Sequence, residues 1–474
     1  MADGFLIAVL LGFLGVGVAL MFVMRGVPGV MATTVIGWFF LPPSRGINLP
    51  GLPVFTKDFA VPYALLLGVL ITDFGRITSF RPKLLDLPVL LWILSPLPAS
   101  VTNDLGYYDG LSGIYSQLMR YGVPYLIGRM YIRTPDDVRM VAKWFVIAGL
   151  IAVPFVFWES RMSPQLNRNI YGYEVAKFHM AKRLGGYRPM LFMRHGLEVG
   201  LWMATCSAVG LWLWITNPRA VRIFGFSMTA PALIVVFATV ISRSFGALIL
   251  LIGNTSAALF VRATGLRIAL IALVLTPSVY LSVRISNVWT PTQMTAIIRG
   301  INPDRADSLE SRLNQEYFIA EHAMQKPLFG WGGHNRYRPT DDEGETSPVD
   351  GWTNITFGKT GLFGLCSLMC VITLPSLLLV LRIRGRALTE EVWAPSIGIL
   401  LGISIFSLDI LFNAFPSPLH LLGIGVIASS AINAKRWQQI LRQHQHSQAQ
   451  LRQDEQEIQS AETQEATLDT KRVS

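Results

Sequence analysis

Apolar residues in this chain come in runs of about 18 to 20, separated by short polar loops. The spacing is neither the three-and-four rhythm of a surface helix nor the alternation of a half-buried strand. A helix of about 20 apolar residues is as long as the hydrocarbon core of a bilayer is thick. Such runs fall at about 4–24, 27–42, 59–75, 84–98, 113–131, 140–158, 196–216, 226–241, 244–262, 266–285, 353–381, 393–412 and 417–433. They predict an all-α, polytopic helical membrane protein with about 12–13 transmembrane helices. The second run is short and bounded by proline, and the fifth begins in a polar stretch, so either fits a re-entrant segment. Met1–Met24 lacks a basic start and a small-residue cleavage site, and reads as a retained span rather than a signal peptide.

The loops give an orientation. Basic clusters occur at Arg76, Arg81 and Lys83; at Arg129, Arg133 and Arg139; at Arg219 and Arg222; at Arg262 and Arg267; at Arg382, Arg384 and Arg386; and at Lys435 and Arg436. Simple alternation of the spans puts them all on one side, which the positive-inside rule makes cytoplasmic. The segments Glu159–His195, Ile241–Ser244 and Ser286–Trp352 then face outward. The last, residues 286–352, is the longest loop, and a loop that long with structure of its own is usually functional. Within it, S-L-E-S-R-L-N-Q-E-Y-F-I-A-E-H-A-M-Q (Ser308–Gln325) has the spacing of an amphipathic helix, ended by Pro327. Residues 1–435 thus form one membrane domain. Residues 436–474 form a polar tail, helical or disordered, on the cytoplasmic side.

Composition agrees. Of the 474 residues, 51% are hydrophobic and 15% charged, against about a quarter charged in soluble domains; the mean hydropathy is +0.44. The net charge of +10 sits largely in loops beside spans. There it orients the chain and meets anionic membrane lipids, so no nucleic-acid partner is inferred. Cys206, Cys366 and Cys370 lie inside predicted spans and read as packed thiols.

Four arginines break the charge bias. Arg188, Arg194, Arg243 and Arg312 all fall in outward segments. Guanidinium groups kept there against hydropathy and orientation point to an anionic substrate, a phosphate above all. K-P-L-F-G-W-G-G-H-N-R-Y-R (Lys326–Arg338) holds Gly330, Gly332 and Gly333. That spacing reads as a turn between helices, or as backbone N–H groups presented to an oxyanion. Further on, T-S-P-V-D-G-W (Thr346–Trp352) sets Asp350 at the water–lipid boundary, with Trp352 as an interfacial anchor. S-R-S-F-G-A-L (Ser242–Leu248) is a tight outward turn whose arginine either snorkels to headgroups or points into the bundle. In G-G-Y-R-P-M-L-F-M-R-H-G-L-E-V-G (Gly185–Gly200), Glu198 lies one turn beyond Arg194, in reach of an ion pair. The acidic run Asp341, Asp342, Glu343 and Glu345 reads as a solvated loop tip rather than a cation site.

Taken together, Arg243 in S-R-S-F-G, Arg312 in S-R-L-N-Q-E-Y, P-L-F-G-W-G (Pro327–Gly332) and K-T-G-L-F-G-L (Lys359–Leu365) follow an order and spacing that resembles the O-antigen ligase and polymerase-like membrane glycosyltransferases. The resemblance covers about residues 188–374. It implies a GT-C-like fold and a multi-span enzyme of the bacterial inner membrane, working at the periplasmic face. Its donor would be an undecaprenyl-diphosphate-linked glycan, passed to an acceptor glycan, lipid A-core or a protein. Arg243 and Arg312 would bind the diphosphate, with Arg188, Arg194, Gly332 and Gly333 contributing to the substrate site. The family usually carries a His–Asn pair about eleven residues before its G-L-x-G, and here Asp350 and Gly351 stand in that place. An aspartate also accepts a proton from a sugar hydroxyl, so Asp350 is the expected base and His334 the second choice. The expectation is metal-independent, inverting transfer with no cofactor, by a polymerase of an exopolysaccharide or O-antigen, or else by a ligase. A flippase or transporter is the reading from another class. It lacks support from any repeat of broken spans.

Overall fold

A computed structural model describes residues 2–441 except 176–180, 184, 287, 289–291, 302, 341–345, 347 and 348, together with 443 and 450. The chain divides into two compact units, Met1–Ala431 and Ile432–Ser474. The first unit contains every candidate site residue. Of the second, residues 432–441 are helical; most of the polar tail and the acidic run at Asp341–Glu345 lie outside the described residues.

Helix dominates the first unit. α1 (Ala2–Met24), α2 (Gly26–Phe40), α3 (Lys57–Thr72) and α4 (Phe74–Thr78) come first, then α5 (Leu87–Leu94), α6 (Pro96–Val101), α7 (Gly106–Gln117) and α8 (Val123–Tyr131). α9 (Pro135–Met162) and α10 (Leu166–Tyr171) lead into α11 (Gly196–Thr216), α12 (Thr229–Ile241), α13 (Phe245–Thr264) and α14 (Ile268–Ile285). The long loop carries α15 (Thr292–Ile301) and α16 (Pro303–Met324), after which come α17 (Trp352–Arg382) and α18 (Ala394–Asp409). Residues 418–431 are helical as well. The strands are two-residue antiparallel hairpins; in the one that matters for the site, Lys182 pairs with Tyr187 and Arg183 with Gly186.

Each expected span falls on helix, but only seven helical stretches among the described residues are long and apolar enough to cross a bilayer. Three further apolar helices are shorter, α2, α12 and α18, with 15, 13 and 16 residues. At 1.5 Å per residue they reach roughly 20–24 Å, less than the ~30 Å hydrocarbon core. The expected span at 113–131 is interrupted by a π-helical turn at Leu118–Gly122. The loop helix α16 begins five residues before the expected Ser308, because Pro303 starts a helix well. α15 was not legible at all.

α11 is the hub. It is buried along most of its length and packs against α9, α12, α13 and α18. Its Gly, Ala, Ser and Cys positions allow that close approach. The N-cap is His195, whose Nδ1 accepts the Leu197 N–H at 3.1 Å.

α17 is broken at Gly361, where φ is 62° and ψ −163°, a conformation open only to glycine. The break admits the glycine-rich loop. Trp331 N–H donates to the Gly358 carbonyl at 2.8 Å and Gly332 N–H to Lys359 at 2.9 Å, while Leu362 N–H donates to Pro327 at 2.7 Å. A Cβ on Gly361 would lie 2.4 Å from the Leu328 carbonyl oxygen. α16 is fixed to α14 by a buried ion pair, Arg284 Nε to Glu316 Oε1 at 3.0 Å, with Tyr280 Oη donating to Glu316 Oε2 at 2.8 Å. Burial pushes the Glu316 carboxyl above its ordinary pKa, against the pull of Tyr280 and Arg284.

The structure corrects one expectation here. Trp352 is no interfacial anchor: it is buried and packs against Trp92, Tyr121 and Phe406.

Candidate functional site

The segment from Arg188 to His195 carries three of the basic side chains, and buried charges hold its backbone. Glu159, 1% exposed, accepts the Met190 and Leu191 N–H groups on Oε2, each at 2.7 Å, and the Leu166 N–H on Oε1 at 3.0 Å. Lys57, also 1% exposed, donates to the Phe192 carbonyl at 2.9 Å and the Trp38 carbonyl at 3.3 Å. Glu198 Oε2 accepts the Arg194 N–H at 2.9 Å and its Nε at 3.4 Å, the pairing read from the i, i+4 spacing. Buried charges are tolerated when hydrogen bonds meet them, and here several of the partners are backbone groups of the arginine segment, with Leu166 and Trp38 adding one each and Glu198 Oε1 without a hydrogen-bond partner among the described residues.

Around the α11 N-terminus three of the four expected arginines come near one another. Arg188 Nη2 donates to the Arg243 carbonyl at 3.4 Å. Arg243 occupies the turn between α12 and α13 with φ 54°, and its guanidinium lies against Gly186, where an added Cβ would be 1.8 Å from Nη1. The His195 imidazole is half-buried and within reach of the charges of Arg188, Arg312, Glu198 and Asp350. Burial first, then the two guanidinium groups, hold its pKa below the ordinary value; Glu198 and Asp350 oppose them. His195 is therefore neutral at neutral pH, in keeping with Nδ1 accepting a hydrogen bond. The Arg312 charge also reaches Asp409 at the end of α18. Asp350 is exposed, with its backbone carbonyl accepting the Asn354 side-chain amide at 3.2 Å.

Beside this cluster lies a cavity of about 460 Å³. Arg194, Gly332, Gly333 and His334 line it. His334 is exposed, and its Nε2 pairs with Asp109 Oδ2 at 2.8 Å. The Gly330 and Gly332 N–H groups are taken by the Lys326 and Lys359 carbonyls. Gly332 therefore shapes the wall without offering its N–H to a phosphate.

The candidate residues thus fall into two neighbouring sets. Arg188 and Arg243 touch, and Arg188, Arg312 and Asp350 all act on His195. Arg194, Gly332, Gly333 and His334 share the cavity wall. The consecutive residues Arg194 and His195 join the sets, at a helix N-terminus whose dipole favours an anion. Among the described residues no group of three or more His, Cys, Asp or Glu side chains is placed to hold a metal ion.

Sequence reasoning missed His195, Lys57, Glu159, Arg120 and Lys359. For Lys57 and Arg120 a signal existed, since each is a charge at or inside an apolar run. The Asp109–His334 pair, 225 positions apart, left none. No protein-family model matches the chain, and no curated protein matches it.

Proposed function

We propose that this chain is a glycosyltransferase of the bacterial inner membrane that takes its glycan from an undecaprenyl-diphosphate carrier at the outer face. The observation that supports this reading is the gathering of Arg188, Arg243 and Arg312 with Asp350 about the N-terminus of α11. A diphosphate already leaves readily, so the protein's task is to stabilise the departing charge and to activate the incoming hydroxyl. In a site of effective dielectric near 20, a guanidinium about 4 Å from a phosphate charge contributes roughly 4 kcal/mol of Coulomb attraction. Several together do this work on the leaving group. Asp350 accepts the proton of the acceptor sugar hydroxyl. That oxygen attacks the anomeric carbon from the side opposite the diphosphate, a new C–O bond forms with inversion, and the old bond breaks to release undecaprenyl diphosphate.

The acceptor is a further glycan repeat, making the enzyme a polymerase, since Asp350 stands where the resembling ligases and polymerases usually carry histidine. Deleting the gene and analysing lipid-linked and surface glycans tests the reading. A lost polymerase leaves single repeat units, a lost ligase leaves long chains on the lipid carrier, and unchanged glycans contradict both.

A further inference from the structure

The cavity holds two cations that the chemistry above does not use. Arg120 sits in the π-helical turn at Leu118–Gly122, a distortion that recurs at functional sites. Its guanidinium lies 4.8 Å over the Phe59 ring, and Lys359 Nζ lies 5.0 Å over that of Tyr337. Both side chains line the cavity, and the Arg120 charge reaches Lys359. Two like charges facing one space cost free energy unless an anion comes between them. Among the described residues neither forms an ion pair: Arg194 on the same wall is taken by Glu198, and the wall's Asp109 is taken by His334. Buried polar atoms remain open as well. Arg120 Nε and Gln117 Oε1 have no hydrogen-bond partner among the described residues.

The rest of the wall describes the body of the ligand. Trp92 and Tyr121 stack at 5.0 Å, and Trp352 meets them at a steep angle, 58° to Tyr121 and 76° to Trp92, so an aromatic corner borders the cavity. Ser100, Ser112, Ser116, Thr356 and Thr360 line the same cavity; the Ser100, Thr356 and Thr360 hydroxyls donate to backbone carbonyls and keep their oxygens as acceptors. Aromatic walls, hydroxyl acceptors and a cation pair match a sugar ring that bears an oxyanion, and the volume suits a small ligand, for which about 300–1,000 Å³ is usual.

We propose that this cavity is a saccharide subsite selective for an acidic sugar of the glycan, its oxyanion seated between Arg120 and Lys359 and its hydroxyls reaching Gln117. The inference rests on the reading that a glycan is handled here, and it assigns the lipid diphosphate to the separate arginine cluster at α11. The other source of an oxyanion is that diphosphate itself, and the test separates the two.

Purified full-length protein in nanodiscs is titrated with three probes: a hexasaccharide of glucuronic acid, a neutral glucose hexasaccharide, and undecaprenyl diphosphate. The acidic oligosaccharide is expected to bind at least about tenfold more tightly than the neutral one, with a preference that weakens as salt rises. Arg120→Gln and Lys359→Gln each bring acidic binding down to the neutral level and leave undecaprenyl diphosphate binding within about twofold; Arg120→Lys retains part of the preference. Equal binding of the two oligosaccharides by the wild-type protein overturns the proposal. So does loss of undecaprenyl diphosphate binding in Arg120→Gln, since the cavity would then hold the lipid headgroup. Failure of the wild-type protein to bind undecaprenyl diphosphate while it still selects the acidic sugar removes the donor assignment and leaves the subsite standing.

Discussion

A guanidinium near a membrane surface carries a steep desolvation cost unless something anionic or polar meets it. Arg312 is half-buried on α16, with its charge felt at His195 and at Asp409. If the chain carries out the proposed transfer, Arg312→Gln is expected to lower its rate about 10²–10³-fold, the usual consequence of removing one stabilising group from a developing charge. The unfolding temperature should barely change, and Arg312→Lys should recover part of the rate. Unaltered transfer in Arg312→Gln would remove this residue from the chemistry. His195 gives a prediction of a different kind. Its folded pKa lies below the ordinary value of about 6.5, for the reasons of burial and neighbouring arginines. Below pH ~6.5 the unfolded chain takes up a proton that the folded chain refuses, so stability falls as pH drops through that range and is complete above it. Thermal unfolding at pH 7.5 and pH 5 should show a larger drop for the wild-type protein than for His195→Asn, which caps the helix without titrating. Equal drops would mean that the imidazole is not the sensitive group.

At the scale of elements, two devices hold the loop residues over the helices. The break in α17 depends on Gly361, whose backbone conformation and close contact with Leu328 exclude a side chain. Gly361→Ala should cost about 1–3 kcal/mol from the backbone alone and more from the contact, read as a lowered unfolding temperature; an unchanged one would deny the break its role. The second device is the Arg284–Glu316 pair beneath α16. Arg284→Met leaves a buried carboxyl without its cation, a loss of about 3–5 kcal/mol in comparable pairs. It should also loosen the helix that carries Arg312, so transfer falls with stability. The periodicity of apolar runs made the long helices legible, because a bilayer-length run needs no tertiary context to be recognised. The break at Gly361 was not legible. G-L-F-G within an apolar run reads equally well as continuous helix, and only pairing with Pro327–Gly332, far away in sequence, opens it.

Residues as far apart in the chain as Lys57 and Pro416 meet the arginine segment at one end of α11. Arg188, Arg194, Arg243 and Arg312 were legible in the sequence through a conflict between charge and the expected orientation, and each lies at that helix end, beside the cavity, or within charge range of His195. The buried groups that secure them were not legible. Glu159 and Lys57 bond to backbone atoms, and backbone partners leave no trace in a residue pattern. The orientation gives the whole-molecule prediction. With the native cysteines replaced, a cysteine at Asp350 should react with an impermeant thiol reagent in intact cells, and one at Arg219 only after permeabilisation. The reverse pattern would put the arginine cluster on the wrong side for a lipid-linked donor. The central claim meets its most direct test in transfer itself. Purified protein is mixed with lipid-linked glycan extracted from cells lacking the gene, and free undecaprenyl diphosphate is quantified by mass spectrometry. The wild-type protein should release undecaprenyl diphosphate in step with a lengthened glycan, and a protein carrying both Arg312→Gln and Asp350→Asn should release none. Full release by that double variant, or none by the wild-type protein, would contradict the account.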